Sequence, residues 1–423
     1  MKYIILILIS LSFVTLMSTN TASSLPFSYS YLQRSIGVEA NYWNPANLHK
    51  LPTNNEIMVI PFTFSAKNNA VSLKLYNDVT GTFINENKKR EILNSIDGSM
   101  NVSMNLNLIT FGYANKNWAL SSATNFVANG KIDENYLELL LMGNEYNRDY
   151  IFTKDNNDFA ALGYQDLTFS YGNLLINNWI PSMKDYRLPD IYMGVGVSAL
   201  IGLYSVEMND FYGVFTSSDN GLYLDQKATV RMGSVGTGYK FSWGLSSEVV
   251  TFEEDHYISA GLALNNILGT IKWSSETEMR EYIAKIDSVY VNELDEDIFN
   301  DEEIVTEISA YSTKLPINIK LGANYQYRDF SCSLDFAKNS DVNPAFNSDA
   351  TIALGTEYII MDMIPIQLGY RLASGDLPAL YSFGLGLKFQ YFECGFGYQS
   401  IGAFFLSEES QGLAFSGQMK FRF

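Results

Sequence analysis

The last eleven residues of the chain alternate without interruption between two kinds of side chain. One set is apolar or aromatic: Leu413, Phe415, Gly417, Met419, Phe421 and Phe423. The other set is small, polar or cationic: Ala414, Ser416, Gln418, Lys420 and Arg422. Because a β-strand presents successive side chains to opposite faces of its sheet, this segment predicts a strand with one apolar and one polar face. Such a strand suits a wall between lipid and water, although the edge strand of a soluble sheet has the same pattern.

The opposite end of the chain has the pattern of an export signal. Lys2 precedes an apolar run at residues 3–17, and Ala22 and Ser24 fit the small positions before a cleavage site. The run is shorter than the roughly 20 residues of a membrane-spanning helix, so we interpret residues 1–24 as a signal peptide cleaved near Ser24, with an uncleaved anchor as the alternative. No later stretch is long and apolar enough to span a bilayer, and a membrane protein without such helices must be a closed β-barrel.

The alternating pattern recurs along the chain. Residues 100–108 alternate apolar side chains with three asparagines and a serine, and residues 381–391 alternate aromatic or aliphatic side chains with glycine and polar ones. We therefore predict an all-β fold, a transmembrane antiparallel β-barrel of about 14 strands (roughly 12 to 16), with an even number expected. The other candidate strands lie at residues 57–65, 70–77, 117–127, 166–171, 191–205, 222–232, 239–247, 257–264, 317–327, 330–336, 352–358, 366–372 and 392–398.

The strand pattern also predicts a topology. If Phe423 lies at the periplasmic rim, the connections at residues 327–329, 360–364 and 391–392 are short periplasmic turns. The connections at residues 338–348, 373–380 and 406–412 are then longer extracellular loops. Short turns inside and long loops outside are the rule for bacterial outer-membrane barrels. The largest extracellular loop is predicted at residues 274–314.

That loop is strongly acidic. It carries seven carboxylates close together: Glu293, Asp295, Glu296, Asp297, Asp301, Glu302 and Glu303. Such residues can bind Ca²⁺, but the spacing lacks the central glycine of an EF-hand, so we interpret the loop as a solvated segment and predict no metal site. Met279, Ile283, Ile286 and Tyr290 have helical spacing and predict a short amphipathic helix before the acidic run. A second helix is predicted at residues 134–142, ending before Gly143.

Features of an enzyme or of a nucleic-acid-binding protein are hard to find. The chain has two histidines, His49 and His256, and neither lies beside an obvious serine at a strand rim. Phosphate-cradling loops and metal-ligand clusters are absent from the sequence, so no catalytic residue, enzyme activity or cofactor is predicted. A net charge of −18 argues against nucleic acid as a partner, since a phosphate backbone requires a basic surface. Cys332 and Cys394 are far apart in strand order, so no disulfide is predicted.

One segment carries a family resemblance. Residues 39–48 read EANYWNPANL, which resembles the YWNPAGL box near the N-terminus of FadL-type outer-membrane transporters and of the related PorV-type barrels. Weaker resemblance to uncharacterised barrels of that superfamily lies at residues 143–144, 265–273 and 381–387. The aromatic C-terminus also resembles the terminal strand by which bacterial outer-membrane barrels are recognised for assembly. Its candidate assembly residues are Phe415, Met419, Phe421 and Phe423.

The resemblance implies that residues 25–55 fold into the lumen as a hatch, inside a barrel formed by residues 56–423. The lumen motif would comprise Tyr42, Trp43, Asn44, Pro45, Ala46 and Leu48. Physically this is reasonable, because Pro45 forces Asn44 out of the helical region and the Asn44 side chain can bond free backbone groups. A plain turn before the first strand is the alternative.

Two functions are compatible with these features. One is passive transport of small hydrophobic molecules across the outer membrane, as in FadL. The other is a non-transporting structural or secretion-associated barrel that binds exported proteins, as in PorV. A blocked lumen with a gap in the wall favours transport, and a sealed wall favours scaffolding. In both cases we predict a bacterial outer-membrane protein, surrounded by outer-membrane lipid and folded by the barrel-assembly machinery, with a hydrophobic small molecule or an exported protein as its partner.

Overall fold

The computed structural model describes residues 21–80, 83–96, 98–176, 190–250, 255–289, 300–375, 377–405 and 407–423. In these ranges the chain forms a closed antiparallel β-barrel of 14 strands, which confirms the predicted fold class. None of the described helices is long and apolar enough to cross a bilayer. The strands are β1 (Asn55–Asn68), β2 (Ser99–Asn115), β3 (Trp118–Asp133), β4 (Asp149–Thr153), β5 (Asp158–Ile176), β6 (Asp190–Ser218), β7 (Gly221–Val250), β8 (His256–Val289), β9 (Asn300–Glu307), β10 (Tyr311–Lys314), β11 (Asn318–Tyr327), β12 (Phe330–Asn339), β13 (Thr351–Ile360), β14 (Ile364–Arg371), β15 (Leu380–Lys388), β16 (Phe392–Ile401) and β17 (Gly412–Arg422).

The wall contains every strand except β4, β9 and β10, which pair with the outer parts of β6 and β8. The barrel closes because β1 pairs with β17 on one side and with β2 on the other, while β8 pairs directly with β11. At one end, the Asn55 backbone N–H donates to the Phe423 carbonyl oxygen at 2.9 Å. We call this the periplasmic end, following the predicted topology, and the opposite end the extracellular end.

The two faces of the wall differ in polarity, as the alternation predicts. On β17, Ser416, Lys420 and Arg422 point into the barrel and are at most 4% exposed. Met419 and Phe421 lie on the outer face and are each 41% exposed. An apolar outer face is what lipid contact requires, and a polar inner face is typical of outer-membrane barrels. The turns at residues 328–329, 361–363 and 389–391 are also short and lie at the periplasmic end.

Three helices pack together near the extracellular end: α1 (Leu73–Val79), α2 (Glu86–Asn94) and α3 (Glu134–Met142). Their shared core includes Leu75, Ile92, Leu137 and Leu141. The α3 helix was predicted with these bounds. The strand predicted at residues 70–77 is wrong, because the Ser72 hydroxyl caps α1 by accepting from the Leu75 N–H at 3.2 Å, and Leu75 then packs against the other helices.

Residues 274–314, predicted as one extracellular loop, consist largely of strands. Residues up to Val289 continue β8, Asn300–Glu307 form β9, and Tyr311–Lys314 form β10. The predicted helix beginning at Met279 is strand instead, because this part of β8 pairs with β7 on one side and with β9 on the other. Glu293, Asp295, Glu296 and Asp297 of the acidic run lie outside the described residues, as do residues 1–20 of the predicted signal peptide.

Candidate functional site

The N-terminal segment fills the lumen. We call residues 21–51 the plug, because nearly all of their side chains are buried inside the barrel. The plug contains three 3-10 helices, Ala22–Phe27, Gly37–Asn41 and Pro45–Lys50. The first contacts β13–β17, the second contacts β1–β3, and the third contacts β5–β7. These contacts surround the plug on several sides, so it occupies the cross-section of the barrel.

All six residues of the predicted lumen motif lie in the plug. Tyr42, Trp43, Asn44, Pro45, Ala46 and Leu48 are all buried. The Asn44 side chain caps the third 3-10 helix, since its Oδ1 accepts from the Ala46 N–H at 3.0 Å. Its Nδ2 donates to the Leu245 carbonyl oxygen of β7 at 2.9 Å. Asn44 therefore shapes the turn and also ties it to the wall.

Trp43 and Tyr42 connect the motif to other parts of the lumen. Trp43 Nε1 donates to Thr21 Oγ1 at 3.0 Å, and Lys320 Nζ lies 3.7 Å from the indole centroid, close enough for a cation–π contact. The Tyr42 hydroxyl donates to Asp166 Oδ1 at 3.4 Å. Asp166 Oδ2 in turn lies 3.0 Å from Lys240 Nζ. The motif is thus held by charged residues from three wall strands.

Glycines on the inner wall allow the plug backbone to approach. A Cβ added at Gly194 of β6 would overlap the Pro45 carbonyl group, and one added at Gly369 of β14 would overlap the backbone of Phe27 and Ser28. At these positions any side chain would displace the plug. The sequence analysis did not predict these glycines as functional residues. The signal available in the sequence was a glycine at a strand position whose side chain, by the alternation of the strand, would point into the barrel.

Buried ion pairs anchor the plug to the last strand. Lys420 Nζ lies 2.7 Å from Glu39 Oε2 of the plug, and the two side chains are 1% and 0% exposed. Arg422 bridges Glu56 of β1 and Glu393 of β16, with both N–O distances 2.8 Å. Glu56 reaches the plug as well, because its Oε1 accepts from the Val38 N–H at 3.0 Å. These contacts place the two cations of the C-terminal strand in the lumen, at the periplasmic side of the plug.

A second anchor lies on the opposite wall. The Asp335 carboxylate of β12 accepts from the backbone N–H groups of Tyr31 and Leu32, both at 2.6 Å. Backbone donors of an irregular segment need partners once they are buried, and here a wall carboxylate supplies them. The plug is therefore fixed by charged groups on both sides of the lumen.

The first residues of the plug overlap the predicted signal peptide. Thr21, Ser23 and Ser24 are at most 5% exposed, and the Ser23 N–H donates to Glu39 Oε1 at 3.3 Å. Cleavage after Ser24 would remove these contacts. We therefore expect a mature chain that begins at or before Thr21. The intact mass of the purified protein tests this, and a mass corresponding to a start at Leu25 would contradict it.

An extracellular loop closes the lumen at a second level. Residues 340–350, between β12 and β13, cross the barrel so that Phe346 packs with Leu162 of β5, Leu200 of β6 and Trp273 of β8. Asn129 of β3 donates from Nδ2 to the Pro344 carbonyl oxygen at 2.9 Å. A polar chamber of about 410 Å³ remains beside this loop, and a second cavity of about 510 Å³ lies between the plug and the periplasmic rim.

The wall itself is interrupted between β1 and β2. Met58 pairs with Gly112 and Phe62 with Leu108, but residues 59–61 and 109–111 between them do not pair with each other. Each strand carries one extra residue here, because the register of β1 shifts against β17 and that of β2 shifts against β3. Pro61 also lacks an N–H. We call residues 59–61 with 109–111 the wall break.

The wall break is largely apolar on both faces. Outside, Val59, Ile60 and Phe111 are 38%, 63% and 49% exposed. Inside, Met58 and Ile109 are buried and belong to one apolar cluster with Val38 of the plug. Thr110 is the one polar residue of the wall break, and its hydroxyl donates to the Ser122 carbonyl oxygen at 3.1 Å.

The candidate assembly residues lie on the outer face of β17 and at its end. Met419, Phe421 and Phe423 are 41%, 41% and 56% exposed, and Phe415 stacks against Tyr398 of β16 with ring centroids 5.5 Å apart. They form an apolar stripe along the strand. Their recognition by assembly machinery stays a prediction.

The two histidines have hydrogen-bonding partners. His49 Nδ1 lies 2.6 Å from the Ala46 carbonyl oxygen, and His256 Nδ1 lies 2.7 Å from the Tyr325 hydroxyl. Cys332 and Cys394 are free thiols. Within the described ranges, no three His, Cys, Asp or Glu residues are grouped to hold a metal ion.

Comparison with solved structures identifies the fold. The toluene transporter TodX of Pseudomonas putida is 10% identical with a TM-score of 0.48, over 96% of this chain and 98% of TodX. The TodX deltaS2S3 mutant, a monoaromatic hydrocarbon channel, is 10% identical with a TM-score of 0.50, over 95% of this chain and 98% of the mutant. CymD, another monoaromatic hydrocarbon channel, is 12% identical with a TM-score of 0.43, over 92% and 93% of the two chains. The match to the TodX mutant, with its TM-score of 0.50, shows that the chain shares a β-barrel fold with that protein.

No curated protein matches the sequence. Residues 45–394 match DUF5723, a family of unknown function, over most of the chain. The protein belongs to the DUF5723 family.

Proposed function

We propose that this protein lies in the bacterial outer membrane and passes small hydrophobic molecules across it, with the wall break as their exit. The proposal rests on one observation: the lumen is blocked by the plug and by residues 340–350, while β1 and β2 do not pair with each other at the wall break, where Thr110 is the one polar residue. A solute that cannot continue along the lumen can leave sideways only where strand hydrogen bonds are missing.

The chemistry of the wall break sets the substrate class. A molecule passing between Met58 and Ile109 meets apolar side chains and then reaches the outer surface at Ile60 and Phe111, where the Thr110 hydroxyl is already bonded to the Ser122 carbonyl oxygen. A polar solute would lose its water there without gaining hydrogen bonds, which costs several kcal/mol per group, roughly 2–7. Val38 of the plug packs in the same cluster, so passage requires this part of the plug to shift.

Export and assembly complete the proposal. We infer that a cleaved signal peptide directs the chain to the periplasm and that the outward-facing residues of β17 are read by the barrel-assembly machinery. The apolar stripe of Phe415, Met419, Phe421 and Phe423 supports this role, because it remains on the surface that contacts lipid.

Removing both Ile60 and Thr110 tests the exit route. Each deletion takes out the extra residue of one strand, so the double deletion restores continuous register with β17 and β3 and keeps β1 and β2 aligned with each other. We expect accumulation of a labelled aromatic hydrocarbon in cells to fall to the level of cells that lack the protein.

The control for this experiment is Ile60→Val, which keeps the extra residue and the apolar surface. Both variants must first migrate as folded barrels, with mobility that changes on boiling. Unchanged accumulation in the folded double deletion would contradict the lateral exit, and unchanged accumulation after loss of the whole protein would contradict transport itself.

A second function, binding of exported proteins, is supported by a different part of the molecule. β6, β7 and β8 contain 29, 30 and 34 residues, whereas about 9–11 residues are enough to cross a membrane. Beyond the barrel they continue as a sheet, which is a surface that transport of a small molecule does not require.

A further inference from the structure

The extracellular sheet ends in an unusual edge strand. β8 pairs with β11 only up to Asn265 and continues to Val289, roughly 80 Å along the strand. In its outer part β8 pairs with β7 on one side and with β9 on the other. Among the described residues, β9 pairs with no strand except β8, and all eight of its residues are exposed.

The backbone of β9 presents a regular row of hydrogen-bonding groups at this edge. The Ile308 N–H donates to the Thr277 carbonyl oxygen at 2.9 Å, and the register continues through Thr306 opposite Met279 without a shift. In an antiparallel pair, bonded and non-bonded residues alternate. The N–H and C=O groups of Asp301, Glu303, Val305 and Glu307 therefore point away from β8.

Several of the usual protections of an edge strand are absent from β9, although its side chains are charged. Natural edges are blunted by proline, lysine, bulges or short length. Asn300–Glu307 contains no proline and no lysine, its register is continuous, and all eight residues are exposed. The opposite side of the sheet differs, because β4 has five residues and buries Tyr150 and Phe152 beside α3.

The charge of β9 indicates which kind of strand could pair with its second edge. Asp301, Glu302, Glu303 and Glu307 give the strand four carboxylates and no cation. The same edge of a second copy would place like charges opposite each other, which is unfavourable. Arg280 of β8 neutralises part of this charge, with Nη1 3.1 Å from Glu303 Oε1. A strand with basic side chains fits this edge, and an acidic one does not.

We propose that β9 binds an extended basic segment of a partner protein by β-strand addition. Main-chain hydrogen bonds from the outward groups of Glu303 and Val305 would supply affinity, and the carboxylates would select lysine or arginine in the partner. The interaction takes place on the extracellular sheet, far from the wall break, so it does not depend on transport.

The test uses the full chain in detergent and a short labelled peptide that alternates lysine with threonine. Val305→Pro removes one outward N–H without changing charge, and proline is tolerated at an edge where the N–H faces solvent. We expect this substitution to weaken peptide binding about tenfold, and Val305→Thr, which keeps the N–H, to bind as the unmodified protein does. Glu303→Gln with Glu307→Gln should also weaken binding while leaving the backbone intact.

A second peptide separates strand addition from plain charge attraction. It has the same sequence and charge, but its backbone nitrogens are methylated, so it cannot pair with an edge. We expect it not to bind. Equal binding of both peptides, no binding of either, or full binding to folded Val305→Pro would each overturn the proposal.

Discussion

Replacing Gly194 with leucine is expected to open the lumen to ions. Gly194 of β6 faces the plug, and a Cβ at this position would overlap the Pro45 carbonyl group. Since Pro45 belongs to the turn that Asn44 holds against β7, the side chain forces this part of the plug away from the wall. In planar bilayers we expect steady conductance from the variant and little from the unmodified protein.

Gly163→Leu is the matched control for this experiment. Gly163 lies on neighbouring β5, where an added Cβ would meet Phe126 at 3.6 Å, an ordinary contact, and no part of the plug. Overpacking against a rigid wall typically costs about 1–3 kcal/mol, so Gly194→Leu should also unfold at a lower temperature than the control. Because residues 340–350 also cross the lumen, the two readouts are taken together: a folded Gly194→Leu barrel that conducts no more than the unmodified protein and unfolds at the temperature of the control would show that the plug is not held at Pro45.

Features that follow from the two-residue alternation of side chains along a strand were predictable from the sequence. Lys420 and Arg422 alternate with Met419 and Phe421, and this parity alone places the two cations inside the barrel. The same reasoning places the short turns at the periplasmic end. This reasoning works because every strand of a barrel in lipid must place apolar side chains outside and polar ones inside. The alternation can therefore be read from the sequence of each strand alone.

Features that depend on distant pairing were not predictable. Met279, Ile283 and Ile286 have helical spacing, yet they lie in β8 because β7 is available as a neighbour over that length. Tertiary pairing overrides local preference in such a segment. In the same way, the wall break is seen only when β1 is placed against both β17 and β2.

The candidate site was predictable only in part. The resemblance of residues 39–48 pointed to the lumen, and the structure places those residues there. The wall partners could not be assigned, because Glu39 and Lys420 are separated by almost the whole chain. Thr21 and Ser23 were assigned to the signal peptide, since small polar residues suit a cleavage region as well as a tightly packed turn.

The second large effect is expected from Lys420→Met. This substitution leaves Glu39 buried without the ammonium group that lies 2.7 Å away. Removing one partner of a buried ion pair typically costs about 3–5 kcal/mol, because the remaining charge has no compensation. We expect the free energy of unfolding in lipid vesicles to fall by that amount, measured by urea titration of tryptophan fluorescence.

A double-mutant cycle separates the ion pair from lost packing. In a Glu39→Gln background the buried charge is gone. The amide oxygen can still accept from one of the two present donors, the Ser23 N–H or the Tyr31 hydroxyl, and the amide NH2 takes the position of the other carboxylate oxygen. Lys420→Met should then cost much less than in the unmodified protein, and the difference is the coupling energy.

Lys227 and Glu281 form a matched surface pair. Their charged atoms are 2.9 Å apart and their side chains are 46% and 32% exposed, so the same type of substitution there should change the free energy of unfolding by at most about 1 kcal/mol. Equal losses at Lys420 in the two backgrounds would mean that its contribution comes from packing and not from its charge. Because Lys420 is on the last strand and Glu39 is in the plug, a large coupling energy would also mean that closure of the barrel and insertion of the plug stabilise each other.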